Sequence, residues 1–242
     1  MAKTKFDGRL ILEGVNINLS SLTKPTGEKK LPTGATIAST YTTDVVLDPN
    51  NPAQKEVLSK IQARALAAVK AQLGESADLD GHEIIDNNTG GTIRQRLHMP
   101  WKAGDAIIAK RKAQGKDTSN LSHLAGKFCI TSSTVESRGQ PPALGILVND
   151  QVKTEGLKES DFYAGCLCNV EVNVQCYPPV GQNALGGVKL YLNAVLRVGD
   201  GERWSGRSDK EVLAGLAGKT TMAAVGQGVP NTPLASNNLL PV

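Results

Sequence analysis

Two stretches decide the fold: Cys166-Leu167-Cys168-Asn169-Val170-Glu171-Val172-Asn173-Val174-Gln175-Cys176-Tyr177 and Val188-Lys189-Leu190-Tyr191-Leu192-Asn193-Ala194-Val195-Leu196-Arg197-Val198. In the first, Cys166, Cys168, Val170, Val172, Val174 and Cys176 fall on alternate positions, with mostly polar residues between them. Successive side chains of a strand point to opposite faces, so this pattern predicts a strand with one buried and one wet side. The second stretch alternates in the same way, Val188, Leu190, Leu192, Ala194, Leu196 and Val198 against Lys189, Tyr191, Asn193, Val195 and Arg197. The Pro/Gly-rich connection from Pro178 to Gly187 turns one into the other, and the two strands are expected to be antiparallel neighbours.

Toward the N-terminus, Leu10 to Leu19 reads as another strand, with Val15, Ile17 and Leu19 alternating with Asn16 and Asn18 and a bend at Gly14. Thr23 to Thr36, rich in Pro, Gly and Lys, reads as a loop, and the β-branched run Thr40 to Leu47 as a second strand. Asn51 followed by Pro52 opens a helix whose apolar residues Val57, Leu58, Ile61, Ala65, Leu66, Val69 and Leu73 recur at helical spacing until Gly74. The charges from Glu75 to Asp86 are acidic, whereas Arg94 to Lys127 is strongly basic and holds a short helix near Asp105 to Gln114. Lys127 to Ser132 is a strand candidate, Ser137 to Leu144 a Gly/Pro turn region, and residues 213–242 a tail with few large apolar groups, expected to be flexible.

Composition excludes more than it selects. With 40% apolar residues among 242 the chain can fill a core, and its net charge of +4 is compatible with a polyanionic partner. There is no signal-peptide-like start and no long apolar run, so a cytoplasmic protein without a membrane span is expected. The four cysteines lack CxxC pairing and read as reduced core residues, not zinc ligands. His82, His98 and His123 form no metal-binding or nucleophile motif, the Gly90-Gly91 and Gly186-Gly187 doublets form no phosphate loop, and Asp78, Asp80, Glu83 and Asp86 lack the spacing of a calcium loop. No enzyme, no cofactor and no metal is expected.

A binding surface remains. The wet faces of the two long strands offer Lys189, Tyr191, Asn193 and Arg197 on one and Asn169, Asn173, Gln175 and Tyr177 on the other. Cations neutralise phosphates and rings stack on bases, although a solvent-facing strand also carries such residues without any ligand.

The stretch Asp161-Phe162-Tyr163-Ala164-Gly165-Cys166, then Gly187 to Val198, then Gly199-Asp200-Gly201-Glu202-Arg203-Trp204-Ser205-Gly206-Arg207 resembles a family of phage and prophage OB-fold proteins that bind single-stranded DNA. The resemblance spans about Asp161 to Arg207. Ala164 and Ser205 depart from the serine and glycine usual there, and the acidic C-terminal tail frequent in phage strand-coating proteins is missing, so partner recruitment through such a tail is not expected.

The resemblance implies a β-rich α+β fold: a five-stranded, partly open OB-type barrel with one main helix and long loops. A single domain would occupy residues 1–212, with a loop insertion at about 74–127. It further implies a sequence-independent coat on single-stranded DNA in phage replication or recombination, with a homodimer or cooperative array on the strand and phage replication proteins as further partners. Lys189, Arg197, Arg203 and Arg207, with the basic segment of Lys102, Lys110, Arg111 and Lys112, are the expected phosphate track. Tyr41, Trp101, Tyr177 and Tyr191 are the expected stacking rings. Tyr163 is open to either packing or contact, and Trp204 to packing ahead of stacking. A self-assembling virion or scaffold protein without DNA affinity is the alternative.

Overall fold

The structure is a computed structural model that describes residues 6–30, 32, 34, 36–85, 90–138, 140–178 and 186–204. Arg207 and the tail at 213–242 therefore lie outside the described residues. The chain forms β1 (Arg9–Ser21), β2 (Lys29–Lys30), β3 (Thr36–Ile37), β4 (Thr40–Leu47), α1 (Pro52–Leu73), β5 (His82–Ile85), β6 (Thr92–Gln95), β7 (Trp101–Ala103) and α2 (Gly104–Ala113). A 3-10 turn at Ser119–Leu124 leads to β8 (Phe128–Val135), and β9 (Ala143–Val148), β10 (Gln151–Lys153), β11 (Leu167–Tyr177) and β12 (Gly187–Gly199) follow.

Five strands close a ring. β1 pairs antiparallel with β4 and with β11, β4 with β8, and β11 with β12, and the ring is completed where Leu190 of β12 meets Ser132 of β8 in parallel. Numbered along the chain, the ring strands run first, second, third, fifth, fourth, which is OB topology in a partly closed barrel. Three further strands extend the sheet: β9 beside β12 in parallel, β10 on β9, and β7 on β8.

The alternation read in the sequence fills this ring. Val170, Val172 and Val174 of β11 meet Leu12, Val15 and Ile17 of β1, Val45 and Leu47 of β4, Ile130 of β8 and Leu190 and Leu192 of β12 in one apolar cluster. Each such aliphatic side chain contributes about 1.5–3 kcal/mol when fully buried. Helix α1 adds Leu58, Ile61, Ala65, Ala68 and Val69 to the same cluster, packing across β11, β1, β12 and β4. Its start is fixed by Asn51, whose side chain accepts from the backbone N–H of Ala53 and Gln54, with Pro52 at the first helical position.

Two bulges correct the simple alternation. In β1 the register shifts between Leu12 and Val15, so both side chains point inward, and Gly14 takes φ +59° there while its N–H donates to Asn169 Oδ1 at 2.9 Å. In β12 the register jumps from Leu192, opposite Val172, to Ala194, opposite Glu171. Beyond that jump Val195 is buried and Arg197 lies opposite the buried Cys168. The expected single wet stripe from Lys189 to Arg197 thus ends at Asn193.

The insertion between α1 and β8 is also more ordered than a loop. It carries the β5–β6 hairpin, β7 and α2, and Leu121 and Leu124 pack with Val46 on the outer side of β4, against Ile107, Ile108 and Trp204. Strands β9 and β10 occupy a region whose start the sequence marked only as a turn.

Candidate nucleic-acid interface

The outward residues of β11 and β12 pair across the hairpin: Asn173 with Tyr191, Gln175 with Lys189, and Tyr177 with Gly187. Arg9 of β1 lies opposite Asn173 on the far side of β11. Arg9, Glu171, Asn173, Gln175, Tyr191 and Asn193, with Thr134, Gln140 and Pro141, line an open groove across β1, β11 and β12, and Lys189 and Tyr177 lie beside it on the outward face of the hairpin. Lys189 Nζ sits 4.9 Å from the centre of the Tyr191 ring, a cation–π contact that leaves the ammonium beside a flat aromatic surface. Tyr177 is 38% exposed, the most open aromatic ring among the described residues. Its hydroxyl lies beside Gly187, where a Cβ would fall 2.5 Å from the His98 carbonyl oxygen and 2.7 Å from the Tyr177 hydroxyl, so glycine lets His98 and the ring close on this end of the hairpin. Partial burial pushes the Tyr177 phenol above its ordinary range.

The other expected contact residues are distributed elsewhere. Arg197 donates to the backbone carbonyl of Asp161 at 3.0 Å and pairs with Asp200, so its charge is spent at the far end of β12. The same pairing, with a hydrogen bond from Tyr163, holds the Asp200 carboxyl below its usual range. Tyr163 lies between two guanidinium groups, with Arg203 Cζ 4.1 Å and Arg197 Cζ 5.1 Å from its ring, and its hydroxyl donates to Asp200 Oδ1 at 3.0 Å. Trp204 stacks on His123 with centroids 4.6 Å apart and planes 14° apart, and Lys127 lies over it, which places it in packing. Trp101, opposite Ile130, packs against the barrel core, and half-buried Tyr41 pairs with Thr134 at the start of β4.

Lys102 projects beside Asp44 on the outer side of β4 and β8. Burial raises the Asp44 carboxyl above its ordinary value despite hydrogen bonds from Thr131 and Cys129 and the charge of Lys102. Lys110, Arg111 and Lys112 form the last turn of α2, where cations suit the negative end of the helix dipole. OB folds commonly bind oligonucleotides on the second and third strands. Here that face is partly covered by the insertion and carries Asp44, so the groove on β1, β11 and β12 is the more open surface.

The segments that carried the family resemblance form a backbone clasp. Gly165 has φ +102°, and a Cβ there would fall 1.7 Å from the carbonyl oxygen of Glu202; one on Gly201 would fall 1.9 Å from that of Gly165. Trp204 N–H donates to Ala164 O at 3.0 Å and Asn16 Nδ2 to Gly165 O at 2.8 Å. These glycines let two chain segments touch, and no ligand is needed to explain them. Arg9, Glu171 and Gln140 were not singled out by the sequence; only the antiparallel register of β1 on β11 and the turn after β8 bring them together.

No family model matches the chain, and no curated protein sequence matches it. Solved structures do share its fold. The single-stranded DNA-binding protein of bacteriophage Enc34, in complex with single-stranded DNA, aligns with a TM-score of 0.53 at 13% identity, covering 85% of this chain and 97% of that one. A second structure of the same phage protein aligns at 0.51 with 14% identity, covering 88% and 97%. The fold is therefore that of phage single-stranded-DNA-binding proteins, an OB-like α+β barrel.

Proposed function

We propose that the protein binds single-stranded DNA across the outer face of β1, β11 and β12, coating exposed strands during phage replication or recombination in the cytoplasm of the infected cell. The observation that carries this reading is Tyr191 in the open groove, with Lys189 and Tyr177 beside it on the same outward face of the hairpin and Arg9 at the opposite rim. A ring on a sheet offers its face to an unstacked base, a contact worth about 1–3 kcal/mol per base, and neighbouring cations take the phosphates. Duplex DNA keeps its bases stacked inward and cannot use the rings. The bound state of the phage protein with the same fold supports the choice of ligand. Binding of this kind needs no catalytic group and no cofactor.

The test is fluorescence anisotropy of a labelled single strand titrated with the full chain, repeated with duplex of equal length. Strong preference for the single strand is the expected result. Absence of binding in dilute buffer, or equal affinity for duplex, overturns the reading.

A further inference from the structure

Rings and cations alone would make the groove indifferent to base identity, but its floor contains neither. Between Arg9 on one rim and Tyr191 on the other lie Glu171, Asn173 and Gln175 of β11, with Asn193 beside Tyr191 on β12. Glu171 Oε1 accepts from Asn193 Nδ2 at 3.3 Å and stands 3.5 Å from Arg9 Nε. Both contacts fall on one oxygen, Oε1.

A carboxylate repels phosphate, so a strand lying in this groove keeps its backbone over the rims, near Arg9 and Lys189, and turns its bases inward. An ionised carboxylate is an acceptor only. It bonds to groups that donate: the exocyclic amines of cytosine, adenine and guanine, and the ring N–H of guanine, uracil and thymine; pairing with cytosine N4 is the form seen in known base recognition. Uracil and thymine present a carbonyl oxygen where cytosine has its amine, and their one Watson–Crick-edge donor, N3–H, is flanked by two carbonyl oxygens that repel the carboxylate, so they pair with it less well.

We propose that Glu171 reads base edges, giving the groove a preference for amino-bearing bases over uracil and thymine, with Asn193 positioning the carboxylate through Oε1. This rests on the proposed binding of single-stranded DNA to the same face.

The test compares oligodeoxycytidine with oligodeoxyuridine of equal length above neutral pH, two ligands of the same ring size that differ only around C4 and N3. Wild type is expected to bind the cytidine strand about tenfold more tightly, the size of one good polar base contact. Glu171→Gln is expected to bring the two affinities together while binding of the uridine strand holds or improves, since a negative charge has left the groove. Asn193→Ala is expected to shrink the preference in part. Equal binding of both strands by wild type, or an unchanged ratio in Glu171→Gln, overturns the proposal and leaves the strand-binding function standing. Failure to bind either strand overturns both. The wild-type ratio stands without any variant having to fold.

Discussion

Tyr191 and Tyr163 are both half-exposed tyrosines near the two ends of the β11–β12 hairpin, and their surroundings give them different work. Tyr191 lies on the groove with one ammonium beside it, whereas Tyr163 is held between Arg197 and Arg203 with its hydroxyl on Asp200. Tyr191→Ala is expected to weaken single-strand binding by about 1–3 kcal/mol, the worth of one base stack, with an unchanged melting temperature. Tyr163→Phe is expected to leave affinity unchanged and to cost about 1–2 kcal/mol of stability, since it removes the hydroxyl's bonds to the Asp200 carboxylate and to the backbone of Gly201. His123 gives a pH dependence. Burial against Trp204 and the nearby charge of Lys127 lower its pKa in the folded state, so the unfolded chain binds the proton more readily. Its contribution is thus present above the ordinary histidine range and is lost as pH falls below about 6.5 toward the depressed folded value. Melting temperature should drop across that interval in wild type and drop less in His123→Phe. At this scale the sequence exposed what periodicity exposes: Tyr177, Lys189 and Tyr191 are outward because their neighbours are inward. Arg197 escaped because one skipped residue at Asn193 reverses the phase, and no spacing rule announces the skip.

Among the elements, α1 was legible to the residue because its punctuation is local: Asn51 caps it, Pro52 begins it and Gly74 ends it. Strands β9 and β10 were not, since Ala143–Val148 shows no alternation and owes its state to the parallel partner Ala194–Arg197. The glycines show the same divide between local and tertiary causes. Gly14 takes φ +59° with open space where a Cβ would point, whereas Gly165 combines φ +102° with the Glu202 carbonyl directly in the way. Gly14→Ala therefore meets backbone strain alone, about 1–2 kcal/mol, which a urea melt would register as a modest shift of midpoint. Gly165→Ala must also push the Gly201–Glu202 segment off β1, and its loss of stability in the same melt is expected to be clearly larger. Equal losses would mean that the clasp between residues 163–165 and 200–204 does not hold the barrel end together.

For the whole molecule, the sequence yielded the barrel through its central hairpin and the motif resemblance, while the path of the charges had to come from three dimensions. The expected phosphate track joined Lys189 and Arg197 to the basic helix α2, yet α2 packs over the β4 side of the ring and Arg197 is neutralised by Asp200, whereas the groove faces out from β1, β11 and β12. Salt titration separates these paths. Each phosphate neutralised on a single strand releases counterions and contributes about −0.7 to the slope of log affinity against log salt. Lys189→Ala should make that slope shallower by about 0.7, and Arg9→Ala should do so to a lesser extent because Arg9 shares its charge with Glu171. The double variant Lys110→Ala, Lys112→Ala should leave the slope where it was. If the double variant flattened the slope and the two rim variants did not, DNA would run over the β4 and α2 side of the barrel, and the face assigned to it here would be the wrong one.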